Sequence, residues 1–226
     1  MDATSDITAL DLAALIASRV CHDIISPVGA INNGLEVLAE EGQSEDMREF
    51  AMELIQKSAR AAAAKLQFAR LAFGAAGSAG ASIDLGDAES VAKGFMAGEK
   101  ADLTWTATRV LMPKNLVKLL LNLILIAGHA IPRGGVIEVV VTGAAESPTF
   151  TLACKGTNAR IPANVEDALA GRLGDHAPDA HSVQPIYAGL LAKAARMVVS
   201  VSRDGDQVTF VARPATVDQE GSADVG

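Results

Sequence analysis

The chain has 226 residues, half of them hydrophobic, which is enough material for one large domain or two small ones. Its formal net charge of −8 argues against nucleic acid or an anionic membrane as a partner, because both would repel an acidic protein. The two cysteines, Cys21 and Cys154, form no CxxC pair, and the first residues are polar and acidic and so unlike a signal peptide. We therefore expect a cytoplasmic protein with reduced thiols, and a disulfide between the two cysteines is the alternative. The most apolar run, residues 116–131, predicts a buried helix and no membrane span, because four residues interrupt it: Lys118, Asn122, Gly128 and His129.

The N-terminal segment predicts one long helix over residues 6–41. At about 100° per residue, seven apolar residues share one stripe: Ala13, Ala17, Val20, Ile24, Ile31, Leu35 and Leu38. His22 falls on the opposite side, in the company of Arg19, Ser26, Gly29 and Asn33. A histidine presented to solvent can be a nucleophile, a metal ligand or a plain surface residue. Pro27 predicts a kink rather than an end, because the stripe resumes in register after it.

A second helix is predicted from an N-cap at Ser44 to about Phe73. Its expected inner stripe contains Met47, Phe50, Leu54, Ala61, Leu66, Ala69 and Phe73. Residues 6–73 therefore form a helical hairpin. Two helices of this length cannot bury both stripes against each other, so we expect two hairpins to form a four-helix bundle across a homodimer two-fold axis. The alternative is that the second domain covers the hairpin.

A segment of small residues, 74–82, marks a domain boundary and lacks the lysine of a phosphate-binding P-loop. Residues 83–213 alternate between helical and strand patterns and predict an α/β sandwich with a mainly antiparallel sheet. The expected helices span 85–97, 113–131 with Pro113 at its first position, 161–169 and 185–195. The expected strands span 101–111, 136–142, 150–154, 197–202 and 207–212, the last two joined at Asp204-Gly205. Residues 214–226 predict a disordered acidic tail.

Residues 22–28 read His-Asp-Ile-Ile-Ser-Pro-Val. This pattern on the first helix of a hairpin resembles the phosphoacceptor box of dimeric sensor histidine kinases. A neutral imidazole can attack phosphorus in line and form a phosphoramidate, which makes His22 the expected phosphoacceptor. The adjacent carboxylate of Asp23 is expected to accept the proton of the other ring nitrogen and to hold the reactive tautomer. Pro27 is expected to loosen the helix one turn beyond His22.

The second domain resembles the ATP-binding domains of these kinases in layout, but it departs from them at each nucleotide-binding motif. The helix over 119–131 resembles the Asn-box helix, and Asn122 matches its first asparagine. Ile126 stands where the Mg²⁺-ligating asparagine is expected, and its side chain offers no oxygen to a hard cation.

Residues 156–162 match the D-x-G-x-G-I-P loop only in their final Ile-Pro, because Gly156 replaces the aspartate and Asn158 and Arg160 replace the two glycines. The region near 187–191, where we expect the lid, lacks the repeated glycines that would wrap phosphates. We therefore expect no ATP binding, no kinase activity and no cofactor or metal held by this chain.

A histidine-bearing hairpin attached to a degenerate kinase domain resembles the ChpT-type histidine phosphotransferases of alphaproteobacteria, and the resemblance is strongest over residues 19–35. It implies a dimeric four-helix bundle followed by a degenerate histidine-kinase ATPase-like α/β sandwich. It also implies a cytoplasmic phosphorelay in which His22 takes the phosphoryl group from the receiver aspartate of a hybrid kinase. The donor in that lineage would be a cell-cycle kinase, and the acceptors would be the response-regulator aspartates of a master transcriptional regulator and of a second, proteolysis-linked regulator. The receiver would supply Mg²⁺.

The expected receiver-docking surface is the outer face of the first helix, which contains Arg19, Ser26, Pro27, Gly29 and Asn33. For Arg19 a phosphate-directed role and a solubilising role are both open. Other readings of the chain are a dimeric adaptor without catalysis, an active histidine kinase, and a metalloprotein that uses His176 and His181.

Overall fold

The computed structural model describes residues 7–74, 81–172, 178–179 and 182–215. Two antiparallel helices open the chain, α1 (Ala9–Ala39) and α2 (Glu45–Ala72). The hydroxyl of Thr8 accepts a hydrogen bond from the amide of Asp11 at 3.1 Å, and Ser44 does the same for Met47 at 3.3 Å. These bonds satisfy amides that would otherwise be left unpaired in the first turn of each helix. The predicted hairpin and its N-cap at Ser44 are confirmed.

Small residues make the contact between α1 and α2. Of the thirty-one residues of α1, Pro27 and Gly34 are the buried ones. A Cβ at Gly34 would lie 2.6 Å from Cγ1 of Ile55, so the helices come too close there for a larger side chain. The buried residues of α2 are Ala51, Ser58, Ala62, Phe68 and Ala72.

The predicted inner stripes of the hairpin are therefore wrong for the single chain. Phe50 is 62% exposed and Leu66 is 51% exposed, and on α1 Leu35 is 51% exposed. Helix axes approach closely where small side chains meet, which turns the larger apolar side chains away from the contact. The hairpin consequently presents an apolar face outward.

The rest of the chain forms an α/β sandwich, as predicted. Its remaining helices are α3 (Leu85–Met96), α4 (Lys114–Ala130), α5 (Val165–Leu169) and α6 (Val183–Ala194). Its strands are β1 (Ser82–Asp84), β2 (Ala101–Thr106), β3 (Leu111–Pro113), β4 (Gly135–Ala144), β5 (Ser147–Lys155), β6 (Met197–Asp204) and β7 (Gln207–Pro214). Within the described residues, β2-β4-β5-β7-β6 form one sheet, parallel at β2–β4 and antiparallel elsewhere, and β1 pairs with β3.

One hydrophobic core joins the hairpin to the sandwich. Alternate residues of β5 and β7 are buried, which gives the sheet one covered face, and α4 packs on that face. From the hairpin, Phe68 and Ala72 belong to the same core, and the rings of Phe68 and Phe95 lie 4.5 Å apart between centroids. This packing holds the end of the hairpin that contains Phe68 and Ala72 against the second domain.

Three details of the predicted elements need correction. The strand expected over 101–111 is two strands, β2 in the large sheet and β3 in the small one. Pro113 is the N-cap of α4, with φ −50° and ψ 132°, and not its first helical residue. The helix expected from 161 begins at Val165, because Asn164 has a left-handed φ of 60° that no α-helical residue adopts.

The tail predicted from residue 214 starts too early. Pro214 is the last residue of β7, and the amide of Ala215 donates a hydrogen bond to the carbonyl of Arg196 at 2.9 Å. Residues 216–226, and the His176–His181 segment apart from residues 178–179, lie outside the described residues.

Candidate phosphoacceptor site

His22 lies in the middle of α1 and its side chain is 63% exposed. The next residue, Asp23, is less accessible, with 28% of its side chain exposed. Nδ1 of His22 lies 3.5 Å from Oδ1 of Asp23, at the outer limit of a hydrogen bond. The carboxylate of Asp23 is thus placed beside Nδ1, and Nε2 lies on the opposite side of the ring.

Arg19 contacts Asp23 from one turn earlier in α1. Its Nε donates a hydrogen bond of 3.0 Å to Oδ2 of Asp23, and only 12% of the Arg19 side chain is exposed. Arg19 also lines the cavity between the hairpin and the second domain, and its predicted role in receiver docking stays a prediction.

The other predicted docking residues divide into two groups. Ser26 and Asn33 are exposed and Gly29 is partly exposed, and a Cβ at Gly29 would meet no atom within 4 Å among the described residues. Pro27 is buried inside the hairpin, so its side chain is closed to direct contact with a partner. The prediction of Pro27 as a docking residue is therefore corrected.

A cavity of about 870 Å³ lies between the hairpin and the second domain, next to Asp23. Its basic lining residues are Arg19, Lys65, Lys100, His129 and Arg160, and its acidic ones are Asp23 and Glu99. Nζ of Lys65 on α2 lies 3.8 Å from Oε1 of Glu99, which follows α3. The sequence did not indicate Lys65 or Glu99 as site residues, because no local pattern shows that α2 and the end of α3 meet beside the histidine.

On α4, Asn122 serves as a structural link. Its side chain is fully buried, and Nδ2 donates to the carbonyl of Lys118 at 2.8 Å and to the carbonyl of Ala72 at 3.2 Å. Nε2 of Gln184 on α6 donates to Oδ1 of Asn122 at 3.4 Å. The amide therefore ties three helices together, and its hydrogen-bonding atoms are engaged inside the protein.

At the position of the expected Mg²⁺ ligand, Ile126 is 1% exposed and belongs to the hydrophobic core. Gly156 has no room for the expected aspartate, because a Cβ there would lie 2.4 Å from the carbonyl oxygen of Gly134. Asn158 replaces a loop glycine and keeps the left-handed φ of 61° that a glycine would adopt readily.

The lid expected near residues 187–191 is misplaced, because these residues lie inside α6. Gly189 allows α6 to pass close to α5, since a Cβ there would lie 2.6 Å from the carbonyl oxygen of Ala168. The ring of Tyr187 packs 5.7 Å from that of Phe73, and burial raises the pKa of its hydroxyl. These residues hold helices together.

Comparison with known proteins agrees with this arrangement. Residues 85–207 match the family model described as histidine phosphotransferase C-terminal domain. The chain is 52% identical over 206 residues to the protein phosphotransferase ChpT of Brucella abortus (strain 2308), which covers 91% of this chain and 97% of the relative. A solved bacterial phosphotransferase is 50% identical, with a TM-score of 0.84 and coverage of 92% of this chain and 98% of that one. The chain therefore belongs to the ChpT-type histidine phosphotransferases, transferases of two-component phosphorelays.

Proposed function

We propose that His22 is the phosphoacceptor, and that it receives a phosphoryl group from the receiver aspartate of a hybrid histidine kinase and passes it to the receiver aspartates of response regulators. The observation that carries this proposal is the exposed imidazole of His22 with the carboxylate of Asp23 beside Nδ1. Ser26, Gly29 and Asn33 form the outer surface on which a receiver would dock.

In the forward step, the lone pair of Nε2 attacks the phosphorus of an aspartyl phosphate. The N–P bond forms as the bond from phosphorus to the aspartate oxygen breaks, and the receiver aspartate leaves as a carboxylate. The positive charge that develops on the ring is shared with Nδ1–H, which Asp23 faces. The reverse step returns the group to another receiver. The Mg²⁺ that neutralises charge on the phosphoryl group would come with the receiver.

We propose further that the chain works as a homodimer in the cytoplasm. The hairpin exposes eight large apolar side chains: Leu10, Ile25, Val28, Leu35, Met47, Phe50, Met52 and Leu66. By length and composition α1 could cross a membrane. However, Arg19, His22 and Asp23 lie near its middle, where charged groups are expensive in lipid. A second hairpin covers such a face without exposing these groups to hydrocarbon.

The second domain would bind no ATP and would supply no kinase activity. Asn122 is committed to neighbouring carbonyls, Ile126 lies in the core, and Gly156 has no space for an acidic side chain. The role of the second domain would be to hold the end of the hairpin near Phe68 and Ala72 through the shared core.

The experiment is a transfer assay with ³²P-labelled receiver domain and, separately, with labelled ATP. We expect the wild-type protein to take label from the receiver and none from ATP, and His22→Gln to take none from either. His129→Gln is the matched control, because His129 is also exposed and lies on α4. Label from ATP would show an active kinase. Absence of label with every receiver tried would overturn the proposal and favour an adaptor, and label that persists in His22→Gln would overturn it by showing that another residue is the phosphoacceptor.

A further inference from the structure

We propose that Arg19 is a positioning residue for phosphotransfer: it holds the carboxylate of Asp23 against Nδ1 of His22, so that Nε2 is kept unprotonated for attack on phosphorus. This inference rests on the proposed function of His22. It gives Arg19 a role different from contact with a receiver, and different from solubilising the surface.

The two oxygens of Asp23 have separate tasks. Oδ2 accepts the hydrogen bond from Nε of Arg19 at 3.0 Å, while Oδ1 lies 3.5 Å from Nδ1 of His22. Arg19 and Asp23 are four residues apart on α1, so they lie one turn apart on the same side of the helix. A carboxylate held through one oxygen cannot rotate freely, and its second oxygen stays on the histidine side.

Burial makes this contact stronger than an ordinary surface ion pair. The side chain of Arg19 is 12% exposed and that of Asp23 is 28% exposed, in contrast to 63% for His22. An exposed pair of this kind would be screened by water and would contribute little. The covered guanidinium instead offers a fixed donor next to an exposed imidazole.

The neighbouring charged residues allow Arg19 to keep its ion pair with Asp23. Lys65 of α2 is a cation that could compete for Asp23, since it lines the same narrow cleft. Lys65 is engaged by Glu99, with 3.8 Å between Nζ and Oε1. The second domain thereby contributes indirectly, because Glu99 draws away the cation that would otherwise compete with Arg19 for Asp23.

The chemical consequence concerns the tautomer of His22. When Oδ1 of Asp23 faces Nδ1, the neutral ring keeps its proton on Nδ1 and leaves the Nε2 lone pair available. Without Arg19, the carboxylate turns away or pairs with Lys65, and the ring populates the tautomer with the proton on Nε2, which cannot attack. Arg19 thus affects the rate of the chemical step and not the docking of the receiver.

The experiment uses full-length protein labelled with ¹⁵N-histidine. The chain has four histidines, and His22→Gln identifies the signal of His22. The ¹⁵N shifts of Nδ1 and Nε2 report the tautomer, and receiver titration separates the maximal transfer rate from KM. The variants are Arg19→Gln and Arg19→Lys. Arg60→Gln serves as the control, because Arg60 is an exposed arginine elsewhere on the hairpin.

We expect Arg19→Gln to shift His22 toward the Nε2–H tautomer and to lower the maximal transfer rate about tenfold, with KM unchanged within about twofold. Arg19→Lys should restore part of both effects, and Arg60→Gln should change neither. An unchanged tautomer in Arg19→Gln, or a rise in KM alone, would overturn the proposal and give Arg19 a docking role. If the wild-type protein accepts no phosphoryl group, the proposed function fails, while the ¹⁵N shifts still decide what Arg19 does to His22.

Discussion

Helices α1 and α4 are both long and apolar, but the protein uses them in opposite ways. Two of the thirty-one residues of α1 are buried, whereas thirteen of the seventeen residues of α4 are buried. In α1 the histidine of the kinase-like motif, His22, lies at the surface with 63% of its side chain exposed. In α4 the corresponding positions, Asn122 and Ile126, have lost access to any ligand.

The difference shows how one region of a kinase-like architecture can retain its chemistry while another keeps only its shape. An exposed helix gains nothing in stability from replacing a polar functional residue, so its motif is free to follow function. A helix in the centre of a core is under packing constraint at every position, since each apolar side chain adds to stability. Once nucleotide binding is not required, Ile126 is favoured over asparagine by the core around it.

The largest effect is expected when the asparagine of the kinase Asn-box is placed at position 126 of α4. Ile126→Asn buries an amide in the core and removes apolar contact, so we expect the free energy of unfolding to fall by about 4 kcal/mol. Urea denaturation measures this loss. Ile126→Val, which keeps the site apolar, should lose about 1 kcal/mol. If Ile126→Asn stayed as stable as wild type and bound Mg²⁺–ATP, α4 would be a functional nucleotide helix after all.

The exposed apolar face of the hairpin provides the next test. Phe50→Glu places a charge on a side chain that is 62% exposed in the single chain. If a second hairpin covers this face, we expect the dimer dissociation constant to rise about 100-fold, because the charge would be desolvated at the interface. Sedimentation equilibrium measures the constant. Gln56→Glu adds the same charge elsewhere on α2 and should have little effect, and equal effects of both changes would place the interface elsewhere.

A smaller loss is expected at the buried amide of α4. Asn122→Ala removes the donor to Ala72 and Lys118 and the acceptor for Gln184, so we expect about 2 kcal/mol lower unfolding free energy. Asn115→Ala, at the less buried start of the same helix, should stay within about 0.5 kcal/mol of wild type. Thermal and urea unfolding of the two variants make the comparison. Similar losses in the two variants would show that the buried hydrogen bonds of Asn122 contribute no more than the contacts of Asn115 at the start of the helix.

The sequence was informative where a local pattern determines the structure. The N-cap at Ser44 predicts the start of α2, and the turn at Asp204-Gly205 predicts where β6 ends and β7 begins. The alternation of apolar and polar residues predicts the strands of the sheet. Periodicity alone misidentified the inner face of α2, because it cannot distinguish a stripe that packs on α1 from one that awaits another molecule. Ala62 and Ser58 pack inside while Phe50 stays outside, and only the approach of the two helix axes reveals this.

The site was predicted in part for the same reason. His22 and Asp23 are neighbours in the chain, so their motif is visible in the sequence. The burial of Arg19 in the cavity beside the second domain depends on the tertiary fold, and the pair of Lys65 with Glu99 joins residues 34 positions apart. The helix predicted over residues 185–195 is present as Val183–Ala194, and the comparison of residues 187–191 with the kinase lid was wrong because these residues lie inside that helix.

The smallest effect is expected for the two cysteines, whose thiol reactivity tests the difference between the exposed and the buried region. Cys21 is exposed on α1 beside His22, and Cys154 is buried on β5, the strand on which α4 packs. Burial raises the pKa of the Cys154 thiol to about 12. At pH 8 a thiol with that pKa is ionised in only about one molecule in ten thousand, and the thiolate is the reactive form.

We therefore expect one thiol per chain to react with Ellman's reagent in the native protein and two in guanidinium chloride. Cys21→Ser should remove the native reaction and leave the second thiol to appear on unfolding. Fast reaction of Cys154 in native Cys21→Ser would mean that the sheet beneath α4 opens readily, and that the core of the second domain is less closed than its burial indicates.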